Sequence, residues 1–235
     1  MTRRDPARIL VFLRHGHSEW NLTNRLTGWT DLLLTGVGLA EAADAGRRLA
    51  GAGYGFDEVH CSVLRRTWQT ARGLLGSLGT PGIPTHKSWR LNERHYGQLQ
   101  GMSKPEILER WGEAQSRRWW RGYFDRPPEL DPNDPRHPRF SPLYRHLDPA
   151  LLPAAESLRD CQRRTLPYLE GTLLPRLAAG RRLLVVSHGN ALRALVMHLE
   201  RITPEAMERV EIPSGVPMVY RFAPDLSPLG REWLE

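Results

Sequence analysis

The sequence predicts an α/β fold: a three-layer sandwich in which a mostly parallel central sheet carries helices on both faces. Three observations predict it. Short apolar runs alternate along the chain with stretches of helical periodicity. One run, LLVV at 183–186, is apolar at every position, as a strand buried on both faces should be. Two runs, LVFL at 10–13 and LLVVS at 183–187, lead within a residue or two into a histidine followed by a glycine, His15-Gly16 and His188-Gly189.

Taken in order, residues 9–13 read as the first strand. A helix is expected over 35–51, where Leu39, Ala42, Ala43, Gly46, Leu49 and Ala50 share one face and Glu41, Asp44, Arg47 and Arg48 the other. The GAGYG that follows stops it. DEVHCS at 57–62 reads as a short strand, and 64–78 as a helix ended by Gly79, Pro81 and Gly82. IPTHKSW at 83–89 fits an edge strand. Another helix is expected over 156–174, bent by Pro167. After the central strand at 182–187 come a helix at 190–199 and a last strand, MVYRF, at 218–222. Residues 125–153 break the pattern, holding eight of the nineteen prolines. We read this insert as an ordered lid or rim near the active site of one domain spanning 1–235.

Composition narrows the function. The 235 residues carry a net charge of +7, but the surplus is arginine scattered along the chain, without a run of five or six like charges. That favours small anions, phosphates above all, over nucleic acid. No apolar run approaches the roughly 18–20 residues of a membrane span. The basic start before a short apolar run lacks a cleavage site, so a cytoplasmic protein is expected. Cys61 and Cys161 fall in a strand and a helix without metal spacing, and read as reduced structural thiols. The nine histidines show no zinc-type pairing with an acidic partner, so no metal is expected.

In open α/β sheets, ligands gather beyond the carboxyl ends of the strands, where helix N-termini offer N–H groups to anions. Both His-Gly pairs would sit there, with glycine allowing a close backbone approach. Arg14 beside His15 adds a cation.

The motifs RHGHSEWN, TGW, SVLRR, LNERHYGQLQG, SHGNALRALV and IPSGVPMVY, in that order, resemble the cofactor-dependent phosphoglycerate mutases of the histidine phosphatase superfamily. The resemblance runs from about residue 8 to 235. It implies a phosphoglycerate mutase-like fold and an isomerase of glycolysis and gluconeogenesis. Such an enzyme interconverts 3-phosphoglycerate and 2-phosphoglycerate through a phosphohistidine primed by 2,3-bisphosphoglycerate. By the same resemblance His15 is the nucleophile, a neutral imidazole that needs little perturbation from its usual pKa. Arg14, Arg66 and His188 surround the phosphoryl group, with Asn21 and the Gly189 N–H adding hydrogen bonds. Arg66 is preferred to Arg65, which reads as solvated. Glu93 is the general acid and base, its carboxyl made more basic by neighbouring phosphate charge. Tyr96, Lys104 and Arg121 would hold the rest of the substrate, with Thr27, Gly28, Ser18 and Asn190 beside them. A homodimer or homotetramer would fit the family.

Three departures stand out. His17 replaces the usual Glu or Gln after Arg-His-Gly. Trp120-Arg121-Gly122 stands where the family has Arg-Arg-Gly. The chain stops soon after its last expected strand, and a short tail would favour hydrolysis of the phosphohistidine. A phosphatase of the same superfamily is therefore the alternative. A non-catalytic basic binding protein is disfavoured by His15, His188 and Glu93 together.

Overall fold

Alternate side chains of the first strand enter two different apolar layers, and that alternation builds the sandwich. Leu10 and Phe12 join one cluster, while Ile9, Val11 and Leu13 join the other. The computed structural model describes residues 8–235. Its sheet contains β1 (Arg8–Arg14), β2 (Glu58–Cys61), β3 (Thr85–Lys87), β4 (Leu183–Ser187), β5 (Met218–Phe222) and β6 (Pro228–Trp233), in the order β3-β2-β4-β1-β5-β6. The β3-β2, β2-β4 and β4-β1 pairs are parallel, and β5 and β6 add an antiparallel edge.

Among the described residues eight α-helices surround it: α1 (Glu19–Leu22), α2 (Gly36–Gly51), α3 (Arg65–Ser77), α4 (Lys104–Arg121), α5 (Leu158–Tyr168), α6 (Leu174–Ala178), α7 (Gly189–Glu200) and α8 (Pro204–Met207). Helices α2 and α3 cover one face through Ala45, Leu49, Ala71 and Leu74. Leu169, Leu173, Leu177, Leu192 and Leu195 cover the other. Each of these leucines is fully buried, contributing about 2 kcal/mol relative to exposure. Register then aligns the functional ends. Arg14 lies beside Ser187, and the His15 N–H donates to the Ser187 carbonyl at 3.0 Å.

Several elements differ from expectation. MVYRF is not the last strand, because β6 folds back on β5 as a hairpin. Its residues are almost all exposed, so it carries no apolar alternation to reveal it. The edge strand shrinks to three residues, and Trp89 instead begins a 3-10 turn. Helix α4 was not anticipated as an element. Ser103 and Glu106 form a reciprocal cap at its start, with Pro105 in the first turn, and Gly112 (φ 74°) kinks it. The helix expected over 156–174 starts at Leu158, capped by Ser157. Pro167 lies inside α5 and is followed by a π turn (Leu169–Leu173) that leads into α6. The proline-rich insert is ordered around three 3-10 turns, and its Tyr144 and Leu152 pack on Trp29. Both cysteines are free and buried, in β2 and α5. Among the described residues no helix is long and apolar enough to cross a membrane.

Candidate active site

A cleft of about 590 Å³ opens at the carboxyl end of β1. Arg14, Arg25, Arg66 and Lys104 line it against one carboxylate, Glu93, so the cleft suits an anion. Gly16 makes the local turn possible by packing rather than by meeting a ligand. A Cβ there would lie 2.3 Å from the Gly38 carbonyl oxygen at the start of α2.

His15 sits at the floor, 4% exposed. Its Nδ1–H donates to the Gly16 carbonyl at 2.7 Å, which puts the lone pair of the neutral ring on Nε2. Arg66 Nε donates to that nitrogen at 3.2 Å. The guanidinium is held in place by the carbonyls of Thr30 and Gly28, 2.7 and 2.8 Å from its other nitrogens. Burial, then the Arg66 and Arg14 charges, push His15 well below its usual pKa. The nucleophile is thus strongly perturbed, contrary to the sequence expectation, and in the useful direction: it is kept neutral. Burial lowers Arg66 to about 10, partly offset by Glu93, so it remains a cation at neutral pH.

His188 caps α7, and its Nε2 lies 2.9 Å from Ser62 Oγ. Thr67 Oγ1 lies 2.8 Å from Ser62 Oγ and 2.9 Å from the Leu64 carbonyl, and we assign its proton to the nearer Ser62 Oγ. We assign the Ser62 hydroxyl as donor to His188 Nε2, which puts the ring proton on Nδ1. That Nδ1 is buried without a protein partner. Arg14 reaches the Ile212 carbonyl through Nη1 at 2.9 Å, while its Nε is likewise buried and unpartnered. These unused donors suit the oxygens of a phosphoryl group.

Glu93 rests on a pinned backbone. Its carbonyl accepts from Trp29 Nε1 at 2.6 Å and Arg164 Nη2 at 3.0 Å. Its carboxylate accepts the backbone N–H of Arg94 at 2.7 Å and of Asn190 at 3.1 Å, which aims it towards the start of α7.

The remaining sequence-predicted residues separate into groups. Asn21, Thr27, Gly28, Tyr96 and Lys104 line the cleft. Ser18 is buried behind it and donates to Asn21 Oδ1 at 2.8 Å, leaving the Asn21 amide NH2 as the end available to an anion. Thr27 Oγ1 is buried and unpartnered. Asn190 Nδ2 donates to Tyr96 OH at 2.9 Å, so it positions the tyrosine from just outside the cleft lining. Gly189 opens α7 beside Arg14, whose side chain would lie 3.6 Å from a Cβ placed there. Arg121 does not line the cleft and is paired with Glu211. Arg117 and Arg118, in exposed pairs with Glu208 and Asp125, do not line the cleft either. Arg65 is exposed as expected, and also bonds Asp31 through its backbone and guanidinium.

Sequence reasoning missed Arg94, which is fully buried with all three guanidinium nitrogens unpartnered, stacked 4.7 Å above the Tyr96 ring. Arg193, also buried, is within electrostatic reach of Arg94 and bonds Asn190 Oδ1 at 2.9 Å. Only their position inside the LNERHYG and SHGNALRALV motifs marked them.

The model of the histidine phosphatase superfamily (branch 1) matches residues 10–226. A 2,3-bisphosphoglycerate-dependent phosphoglycerate mutase from Nitratidesulfovibrio vulgaris (strain DSM 19637 / Miyazaki F) is 49% identical over 225 residues, 96% of this chain and 90% of that protein. Among solved structures, a mycobacterial glucosyl-3-phosphoglycerate phosphatase superposes with a TM-score of 0.69 at 22% identity, covering 97% of this chain and 96% of that one. YhfR of Bacillus stearothermophilus also gives 0.69 at 22% identity, over 92% and 91%. At this identity the two structures speak for the fold.

Proposed function

The chain belongs to the histidine phosphatase superfamily, and on that premise we propose that it is a 2,3-bisphosphoglycerate-dependent phosphoglycerate mutase. It interconverts 3-phosphoglycerate and 2-phosphoglycerate, an isomerase of glycolysis and gluconeogenesis acting on small molecules in the cytoplasm. The observation that carries the reading is His15: a buried, neutral imidazole whose Nε2 faces arginine donors in a cleft with one carboxylate.

The Nε2 lone pair of His15 attacks phosphorus, forming the N–P bond as the P–O bond to the departing oxygen breaks. Glu93 gives its proton to that oxygen and later takes one from the hydroxyl that attacks the phosphohistidine. Arg14, Arg66 and His188 hold the equatorial oxygens as charge spreads over them. The unpartnered Arg94 guanidinium, Thr27 Oγ1 and His188 Nδ1 fit a ligand with several acid groups, as 2,3-bisphosphoglycerate has in its two phosphates and carboxylate. Arg14, Arg66 and His188 would hold one group, and Tyr96 and Lys104 another, with the buried Arg94 guanidinium behind Tyr96. That cofactor supplies the phosphoryl group that primes His15.

Phosphorus NMR of the protein with 3-phosphoglycerate and a trace of 2,3-bisphosphoglycerate tests the reading. Growth of 2-phosphoglycerate to equilibrium with little inorganic phosphate is expected, and its loss in His15→Ala. Steady phosphate release without isomerisation would instead make the protein a phosphatase.

A further inference from the structure

His17 stands where the family has a carboxylate or carboxamide, and the mechanism above makes no use of it. Its backbone N–H donates to Glu41 Oε2 at 2.8 Å, and its Nδ1 lies 2.7 Å from Glu41 Oε1. One carboxylate on α2 thus grips the residue at two points. Thr35 fixes the carbonyl, its backbone N–H donating at 2.9 Å and its hydroxyl at 3.1 Å. The ring lines the cleft near Pro213 and Ser214, and its side chain is 38% exposed. It therefore sits at the rim, above buried His15.

We propose that His17, clamped by Glu41, is a further substrate ligand of this cleft, an imidazolium at the rim that takes the acid group not being transferred. The inference rests on the phosphoglycerate reading. Three observations support it. The distal acid group lacks the family's first arginine, because Trp120 replaces it. The second, Arg121, is held by Glu211 away from the cleft lining. With Nδ1–H given to Glu41, a neutral His17 would present a bare lone pair, and only the protonated ring can donate from Nε2 to an anion.

Glu41 from α2 holds it directly and His15 is within electrostatic reach, while Arg14 at the end of β1 and Arg66 from α3 line the same cleft and Glu19 opens α1 two residues on. Arg25, Glu93 and Lys104 are the other charged residues lining the cleft. Anion binding adds negative charge to this set, so it favours the form of the ring that donates from Nε2.

Calorimetry on unphosphorylated protein at pH 6 and pH 8, in pairs of buffers with different heats of ionisation, counts the protons taken up on binding. The probes are 3-phosphoglycerate and inorganic phosphate, titrated into the wild type, His17→Gln and Glu41→Gln. For His17→Gln we expect about fivefold weaker binding of 3-phosphoglycerate, lower proton uptake at pH 8, and inorganic phosphate binding within twofold of wild type. Glu41→Gln, which keeps an acceptor for Nδ1–H but removes the charge, should lose affinity mainly at pH 8. Unchanged 3-phosphoglycerate affinity and proton uptake in His17→Gln would overturn the proposal. So would an equal loss for both probes, which would place His17 on the transferred group. Binding is read without turnover. A protein that failed the isomerisation assay would therefore still show the His17 effect, and one that isomerised could still lack it.

Discussion

The His188 ring stands edge-on to the His15 ring, with centroids 4.9 Å apart and planes at 68°. Two imidazolium ions this close, beside Arg14 and Arg66, would repel strongly. Each ring is accordingly pushed well below the usual histidine pKa, first by burial and next by Arg66. Neutrality gives the two rings different tasks. His15 keeps a lone pair on Nε2, and His188 keeps a proton on Nδ1.

Removing that proton donor should slow chemistry more than binding. In His188→Ala we expect kcat to fall about 100- to 1,000-fold while KM changes only a few-fold, as for loss of a donor that acts on developing charge. Initial rates in both directions measure this. A large rise in KM with kcat preserved would show that His188 serves ground-state binding instead.

The same depressed histidines make the fold acid-sensitive. His60 lies at about 4, through burial and the neighbouring His86, and His95 at about 3, through burial and His137. Together with His15 and His188, these groups are neutral when folded and protonate more readily once unfolded. The unfolded chain therefore binds more protons, and stability present above about pH 6.5 is lost as the pH falls. Each contributes up to about 2 kcal/mol of loss by pH 5. Paired carboxylates such as Asp134, at about 2, lose their contribution only in stronger acid. Urea midpoints at pH 7 and pH 5 should differ clearly, and a flat profile would contradict the argument.

How much of this was legible in the sequence depends on where the signal lies. Strands β1 and β4 were readable because both faces are buried, leaving continuous apolar runs before His15 and His188. Strand β6 was not, since only an exposed hairpin edge is needed there. Helix α4 was obscured by its polar, tryptophan-rich composition and by Gly112 breaking the period. His15, Arg66 and Glu93 could be named from motifs, but not the burial that keeps His15 neutral. Arg94 looked like an ordinary loop cation, because nothing local reveals that its guanidinium has no partner.

That buried guanidinium sets up a trade between stability and binding. A charge removed from water without hydrogen bonds is costly, and an anionic ligand would compensate it. Arg94→Met keeps much of the volume and the contact with Tyr96. We expect the ligand-free variant to gain about 1–3 kcal/mol of stability while its KM for phosphoglycerates rises at least about tenfold. Thermal unfolding with and without 3-phosphoglycerate reads both effects. A variant less stable than wild type and unchanged in KM would show Arg94 to be structural.

Arg164 presents the opposite case, a buried cation with every donor used. Its Nε lies 2.6 Å and its Nη2 2.9 Å from the Glu156 carboxylate. Further bonds reach the carbonyls of Arg90 at 2.8 Å, Asn92 at 3.1 Å and Glu93 at 3.0 Å. Burial opposes its charge, but Glu156 outweighs that, holding the guanidinium more basic than usual. Arg164→Met leaves Glu156 buried beside a single remaining donor, the His95 N–H at 2.8 Å, and should cost about 3–5 kcal/mol. Neutralising the stranded carboxylate in Arg164→Met/Glu156→Gln should recover part of that loss. Activity should stay low in both variants, because the Asn92 and Glu93 carbonyls have lost the Arg164 donor and only Trp29 Nε1 still holds the Glu93 backbone. Urea unfolding and kcat, measured on the single and double variants, separate the two effects. Recovery of kcat along with stability would mean that Arg164 acts on the fold alone and does not position Glu93.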